Sequence, residues 1–489
     1  MRSTMHDSIF REYDIRGKIG TEFIIEDVYK LTQAIATYFL RENPNTKTIA
    51  IGMDGRLTSP AIKEQVCAAL HDAGLNTIFI GVCPSPVLYF ALHTLPVDAG
   101  LMITASHNPQ EYNGIKISLG KKSVWGKQIQ EIREIYRSLS AEAFSEGRIE
   151  GNERSNGSTR LTTSGDMRGT GSEHLLIPEY ITWLHDHFGS LRGLKTSFVV
   201  DCGNGAAGTV LPALIKKMQW QNVVLLYPEV DGTYPNHDAD PVVAKNMADV
   251  KKILATTSAQ VGMGLDGDCD RMAAMTKDGF LVPGDQLLAV FAQQVLQKHP
   301  HAAIVFDVKS SQGLIELLQK WGAKPCISPA GHAIIKDTME RNHALLGGEL
   351  SCHFFFHDRY FGYDDGIYAL MRLLEIITSS GKSLQELIAV FPKKFSTAEI
   401  RLACAEEQKQ MIINALKHYF SQRADADIVT IDGIRVTMPY GWGIVRASNT
   451  QPVLSMRFES ETEQGLADIK QDFIDLLSQY FDRKTLQAL

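Results

Sequence analysis

The sequence predicts an α/β chain made of three similar mixed α/β domains and a smaller α+β domain at the C-terminal end. Three observations carry this. Short apolar runs alternate with amphipathic helical stretches over most of the length, the pattern of strand–helix units on a mostly parallel sheet. A repeat aligns IAIGMDGRLTSPAIKEQVCAAL from Ile49, SFVVDCGNGAAGTVLPALIKKM from Ser197 and AAIVFDVKSSQGLIELLQKWG from Ala302. Each copy reads as a strand, a polar turn opening near an Asp (Asp54, Asp201, Asp307) and a helix, with a further apolar run behind it, which points to duplication. After Phe391 the pattern changes to a strand, a helix, a hairpin-like region and a final helix.

In chain order, residues 1–174 form the first α/β domain and 175–278 the second. Residues 279–392 form the third, and 393–489 the α+β domain. Residues 150–172, rich in Gly, Ser, Thr and Arg and poor in large apolar residues, read as a mobile linker. Helix resumes near Pro178 in PEYITWLHDHF. In the last domain EIRLACA reads as a strand and EEQKQMIINALKHYF as a helix, with the closing helix starting near Glu461.

Composition excludes several classes of function. The 489 residues carry a formal net charge of -7 and no basic tract, so nucleic acid is not an expected partner. No apolar run approaches the roughly 20 residues that span a bilayer, and the charged start MRSTMHDSIFREYDIRG lacks a signal-peptide core, so a cytoplasmic location without membrane partners is expected. Seven cysteines, at 67, 83, 202, 269, 326, 352 and 404, form no CxxC pair, which argues against a disulfide framework or a thiolate zinc site.

Four motifs offer chemistry. In LDGDCDR (265–271) the acids Asp266, Asp268 and Asp270 alternate, so an extended or loop backbone can gather all three carboxylates on one side. Crowded carboxylates repel unless a cation sits among them, and an all-oxygen donor set favours Mg²⁺ or Ca²⁺ over zinc. An EF-hand is ruled out, because Arg271 and Lys277 stand where it needs Gly and Glu. TASHNP (104–109), after the apolar run AGLMITA, displays Ser106 at the carboxyl edge of a sheet, with His107 beside it and Lys116 ten residues on. Serine needs a base or a strong field to act as a nucleophile. RASNTQP (446–452) offers a guanidinium, hydroxyls, an amide and loop N–H groups suited to a dianionic phosphate. GGELSCHFFF (347–356) sets Glu349 and Ser351 on one side of an extended segment, fit to bind sugar hydroxyls. Taken singly, each motif also fits a solvated turn, a hairpin tip or a strand edge. Arg11, Tyr13 and Arg16 near the start, Lys309 and His332 add positive charge and proton-transfer groups.

YDIRG, TASHNP, NGIK, DGDxDR, GELS and RASNT, in this order, resemble the α-D-phosphohexomutase family, most closely its bacterial phosphomannomutase/phosphoglucomutase branch. The resemblance covers essentially the whole chain and implies four domains around a central cleft. It implies an isomerase that moves a phosphate reversibly between the 1- and 6-positions of a hexose, taking mannose and also glucose phosphates. Ser106 would be the phosphoserine, and a hexose 1,6-bisphosphate both intermediate and activator. Asp266, Asp268 and Asp270 would hold Mg²⁺ with the phosphate of Ser106. Glu349 and Ser351 would grip the sugar, and Arg446, Ser448, Asn449 and Thr450 would clamp the phosphate that does not react. Arg16, Lys116, Arg271, Lys309 and His332 match positions near the transferring phosphate or the sugar, and Tyr13 joins the substrate set. Lys116 and His332 are the candidate general bases. A hinge before the last domain would let the bisphosphate turn end for end.

Three other readings draw on these motifs: a phosphoglucosamine mutase, a sugar-phosphate-binding protein without turnover, and a plain phosphatase, for which a two-ended phosphate grip has no role. The phosphosugar is the expected partner, and the chain is expected to be a monomer. Two departures from the family pattern stand out, Cys269 and Cys352, each where Gly is commoner; the first alters backbone freedom in the metal loop. A thiol beside the site would make activity sensitive to oxidation.

Overall fold

The computed structural model describes residues 5–146, 168–448 and 453–486. They form two compact units, Met1–Met272 with Asp365–Met371, and Ala273–Asp364 with Arg372–Leu489. The first unit holds two copies of the repeat; the second holds the third copy and the C-terminal region.

In the first unit the larger sheet runs Ile15–Lys18, Tyr112–Leu119, Ala99–Ile103, Thr48–Met53, Asn76–Val82, Gly171–Glu173. Its centre is parallel, with Thr48–Met53 between Ala99–Ile103 and Asn76–Val82. Tyr112–Leu119 and Ile15–Lys18 add antiparallel strands at one edge. Ala99–Ile103 is buried throughout, as its unbroken apolar run requires of a central strand. Gly171 and Ser172, expected in the linker, instead pair with Thr77 and Ile78. Residues 147–167 lie outside the described residues.

Helices Ser59–Asp72, Ser85–Thr94, Ile177–His187 and Leu211–Met218 each carry Pro in their first turn, where no intrahelical N–H is needed. A second set of parallel strands runs Val223–Leu226, Phe198–Asp201, Val261–Leu265. The loops of interest leave the carboxyl ends of Thr48–Met53, Ala99–Ile103 and Val261–Leu265, the edge where open α/β sheets bind ligands.

In the second unit, Lys324–Ser328, Ala303–Asp307 and Leu346–Gly348 run parallel, with Phe354–Phe356 antiparallel at the edge. The C-terminal sheet is antiparallel. Val453–Ser460 pairs with Phe395–Ser396, Ile400–Ala403 and Gly441–Ala447, and Ile434–Met438 and Asp427–Val429 extend it. Helices Glu406–Ser421 and Glu463–Leu477 supply Ile412, Leu416, Phe420, Ile469 and Phe473 to one core with that sheet. Among the described residues no helix is long and apolar enough to cross a membrane.

Candidate functional site

In the first unit the serine and the acids meet. Ser106 adopts a left-handed φ of 53°, and its Oγ lies 3.0 Å from Asp266 Oδ2 and 3.1 Å from His107 Nδ1. The metal loop is a turn rather than an extended strand: the Cys269 N–H donates to the Asp266 carbonyl at 3.0 Å, and Cys269 sits at φ 64°. This turn puts oxygens of Asp266, Asp268 and Asp270 within 4.8 Å of one another, all buried. Gly267 makes the close approach possible, since a Cβ there would lie 2.5 Å from the Ser106 carbonyl oxygen.

Cations surround the acids. Lys116 Nζ, on the strand Tyr112–Leu119, lies 2.6 Å from Asp268 Oδ2 and 2.6 Å from Asp270 Oδ2. Ser85 Oγ donates to the same Asp268 oxygen at 2.5 Å. Arg271 Nε lies 3.5 Å from Asp266 Oδ2 and its Nη1 3.4 Å from Asp240 Oδ1, while Nη2 contacts His107. Burial opposes the charge on Arg271, but Asp240, Asp266, Asp270 and Asp268 outweigh it and raise its pKa. Arg16 forms an ion pair with Asp14 and donates from Nη1 to Asn108 Oδ1 at 2.8 Å and to the Ala105 carbonyl at 3.3 Å, reaching the serine loop. Arg11 Nε donates to the Arg16 carbonyl at 3.0 Å, and Tyr13 lies half-buried in the bend before Ile15–Lys18.

The donor set fits a divalent cation. Asp268 Oδ1 is buried with no hydrogen-bond partner among the described residues, and all three side chains offer hard oxygen. An orphaned buried carboxylate oxygen is costly unless a ligand takes it.

In the second unit Glu349 and Ser351 also come together, by a different route from the one the sequence suggested. Glu349 and Ser351 do not lie on an extended segment. The chain turns at once after Leu346–Gly348, with the Cys352 N–H donating to the Glu349 carbonyl at 2.9 Å and Cys352 at φ 68°. Glu349 Oε1 accepts the Gly331 N–H at 2.7 Å and its Oε2 lies 3.2 Å from His353 Nδ1. Ser351 Oγ lies 3.1 Å from the same His353 nitrogen. Burial alone would raise the Glu349 pKa, but His353, Lys309 and the Gly331 N–H hold it below the usual range.

Lys309 Nζ lies 3.7 Å from Asp307 Oδ2 and 3.8 Å from Glu399 Oε1. Its charge leads in pulling the Glu399 pKa down to about 2. His332 Nδ1 lies 3.6 Å from Asp364 Oδ2, with its ring 6.0 Å from that of His353. Arg446 Nε donates to Asp432 Oδ2 at 3.0 Å, and the same oxygen accepts the Ala330 N–H at 3.1 Å. The Ser448 carbonyl accepts from Lys409 Nζ at 2.9 Å. Asn449 and Thr450 lie outside the described residues.

Several participants escaped the sequence reading. Arg56 and Thr104 support the serine loop, Ser85 and Asp240 the acids and Arg271, His353 the Glu349 turn, and Asp432 the Arg446 side chain. Arg56 had a signal, since it follows the repeated Asp54 within the first copy of the repeat. Asp432 had none: its partners Arg446 and Ala330 lie 14 and 102 positions away, and no motif joins them.

Known proteins match this architecture. Models of phosphoglucomutase/phosphomannomutase alpha/beta/alpha domains I, II and III match residues 7–143, 178–279 and 283–395, and the C-terminal domain model matches 399–476. A phosphomannomutase/phosphoglucomutase of Pseudomonas aeruginosa is 39% identical over 471 residues, 96% of this chain and 95% of its own. A phosphoglucomutase of Neisseria meningitidis is 36% identical over 466 residues, 95% of each chain. Among solved structures, a phosphoglucomutase/phosphomannomutase family protein from Burkholderia thailandensis superposes with a TM-score of 0.84 at 32% identity, covering 97% of this chain and 98% of its own. Domain order, near-complete coverage and this level of identity leave one assignment: the chain belongs to the phosphoglucomutase/phosphomannomutase family of phosphohexomutases.

Proposed function

We propose that this enzyme moves a phosphate reversibly between the 1- and 6-positions of a hexose, acting on mannose and glucose phosphates through a phosphorylated Ser106 and a hexose 1,6-bisphosphate. The observation that carries the reading is the meeting of Ser106 with a buried aspartate triad: its Oγ lies 3.0 Å from Asp266.

Phosphoryl transfer asks the protein mainly for positioning and charge stabilisation, because the transition state is loose and anionic. Asp266, Asp268 and Asp270, with the phosphate on Ser106, would hold Mg²⁺, which when bound supplies positive charge to the leaving serine oxygen. Arg271, Lys116 and Arg16 neutralise the oxygens of the moving group; loss of one such donor typically lowers the rate by on the order of 10²–10³. In the forward half, the bond from phosphorus to Ser106 Oγ breaks, a bond to the free sugar hydroxyl forms, and the hydroxyl proton passes to a base. Lys116 is engaged by two carboxylates, which suits it to charge neutralisation, so we assign the base to His332, held by Asp364. The second half returns the other phosphate of the bisphosphate to Ser106. Glu349 and Ser351 hold sugar hydroxyls, Lys309 adds charge there, Arg446, Ser448, Asn449 and Thr450 bind the spectator phosphate, and Tyr13 joins the substrate set.

The enzyme works as a cytoplasmic monomer on this reading. Single-turnover trapping with labelled phosphoenzyme tests the path: label should appear in a hexose bisphosphate, and label found in inorganic phosphate alone refutes it. Intact mass should show one phosphate adduct that disappears in Ser106→Ala. Rates on mannose 1-phosphate and glucose 1-phosphate should exceed that on glucosamine 1-phosphate; the reverse order makes it a glucosamine enzyme.

A further inference from the structure

We infer that Arg56 is a positioning residue for the phosphate carrier: with Asp54 behind it, its guanidinium holds the Ser106 loop in the left-handed turn that aims the Ser106 hydroxyl at Asp266. The inference rests on the reading of Ser106 as that carrier.

A guanidinium has five N–H donors, and in Arg56 each has an acceptor. Nε donates to Asp54 Oδ2 at 3.1 Å. Nη1 donates to the carbonyls of Pro109 at 2.8 Å and Tyr112 at 2.9 Å, and Nη2 to those of Ser106 at 2.8 Å and Asn108 at 2.6 Å. Three of the five bonds therefore converge on the Ser106 loop, and a fourth holds Tyr112, the first residue of the strand that follows it. Arg56 is 1% exposed, with the Tyr234 ring centroid 5.3 Å from its guanidinium carbon.

Asp54 works from the other side. Its Oδ2 accepts from Thr104 Oγ1 at 2.7 Å, and Thr104 Oγ1 accepts the Ser106 N–H at 2.9 Å. Oδ1 accepts the Arg56 N–H at 3.1 Å and Ser59 Oγ at 2.9 Å. The N–H and the carbonyl of Ser106 thus both lead back to the Asp54–Arg56 pair. A serine at φ 53° is strained, and such a conformation persists only where its surroundings over-determine it. Here the surroundings are this pair and Gly267, whose backbone packs against the Ser106 carbonyl.

Asp54 offsets the charge of Arg56, so its effect on Ser106 runs through geometry rather than field. A lysine keeps the charge but has three donors for five acceptors. Loss of the fork should therefore slow the chemical step and leave substrate binding alone.

The test uses Arg56→Lys and Thr104→Val in the full chain, the second nearly isosteric and decisive by itself if the first does not fold. Misplacing a reacting group by about 1 Å lowers the rate by roughly 10²-fold. Turnover of mannose 1-phosphate should fall by up to that factor in R56K and by less in T104V, with KM unchanged. On incubation with glucose 1,6-bisphosphate, mass spectrometry should show phosphate reaching Ser106 more slowly by the same factor but to the same final stoichiometry. A merely structural role would lower the stoichiometry in step with the folded fraction, and that result overturns the inference, as does parental turnover in both variants. Phosphate on another residue of the parent refutes the Ser106 reading and this inference with it; phosphate on Ser106 with unaffected variants refutes this inference alone.

Discussion

Cys269 and Cys352 occupy backbone conformations that favour glycine, at φ 64° and 68°, in the turn of the three aspartates and in the turn after Glu349. A side chain in the left-handed region costs about 1–2 kcal/mol, while at ordinary positions glycine is less stable than alanine by roughly 0.5–1 kcal/mol. The sign of the Gly–Ala difference therefore reports the strain. We expect Cys269→Gly to be more stable than Cys269→Ala by about 1 kcal/mol, read from denaturant midpoints; alanine as the stabler variant would mean the loop carries no such strain. The expected sensitivity to oxidation does not follow, because the Cys269 thiol is fully buried and burial, with Asp365 and Asp266, raises its pKa well above the usual value. A protonated, inaccessible thiol reacts poorly. Lys116 makes a second residue-scale test. Removing one partner from a buried ion pair costs about 3–5 kcal/mol, so Lys116→Met should lower Tm in chelator. The acids, having lost their ammonium, should then bind Mg²⁺ more tightly, and bound ligand stabilises the folded state. Added Mg²⁺ should raise Tm more in the variant than in the parent, and an equal rise in both would show that Lys116 does not offset the charge of the triad.

The repeated strand–Asp turn acts as an anchor for a neighbouring loop. Asp54 ties down Thr104 beside Ser106, Asp201 Oδ2 lies 3.1 Å from His237 Nε2, and Asp307 accepts the Leu350 N–H, next to Glu349, at 3.4 Å. The repeat was legible because each copy keeps its strand, Asp and helix in register, and the gathering of the three aspartates because their alternation is local. What the sequence hid has two physical causes. Arg56 reaches Ser106, Asp54 reaches Thr104 and Asp432 reaches Ala330 across some 50 or more positions, so no window contains these partners. Glu349 and Ser351 read as extended because cysteine is not a turn signal, yet Cys352 closes a turn there. Glu399, just before the strand Ile400–Ala403, gives a prediction for this element. The Lys309 charge, then the Ser455 hydroxyl and Arg401, depress its pKa from 4.5 to about 2 against burial. A carboxylate depressed in the folded state stabilises fully above its unfolded pKa and loses that contribution as pH falls through the folded one. Acid titration of stability should thus lose a contribution between about pH 4.5 and 2, and Glu399→Gln should flatten the curve in that window. An unchanged curve would remove Glu399 from the account.

At the scale of the whole chain, the second unit joins the third repeat to the C-terminal domain through buried polar bonds. Glu459 Oε1 accepts from Ser311 Oγ at 2.8 Å, the Gln312 N–H at 3.0 Å and Trp442 Nε1 at 2.8 Å, and Oε2 lies 3.7 Å from Arg457 Nη2. Arg457 Nη1 donates to the Lys309 carbonyl at 2.6 Å and lies 3.3 Å from Asp285 Oδ2. Arg435, its guanidinium carbon 3.8 Å from the Trp442 ring centroid, donates to the carbonyls of Val308 and Ser310 at 2.8 Å each. A hinge before the last domain, expected from the need to turn the bisphosphate, would have to break these bonds to open at that junction. The carboxylate of Glu459 also sits at the N-terminus of helix Gln312–Lys320, where negative charge is favoured. Glu459→Ala would leave three donors and Arg457 without this acceptor, a loss of about 3–5 kcal/mol. Glu459→Gln keeps an acceptor oxygen and should lose less. Calorimetry on the full chain should show the third repeat and the C-terminal domain melting together in the parent, and the C-terminal domain melting separately and earlier in E459A. Turnover should fall in E459A even below its first transition, because the Lys309 carbonyl is held by the arginine that Glu459 steadies. Parental melting and parental turnover in E459A would mean that apolar packing at Val308, Trp442 and Ile444 joins the two parts by itself.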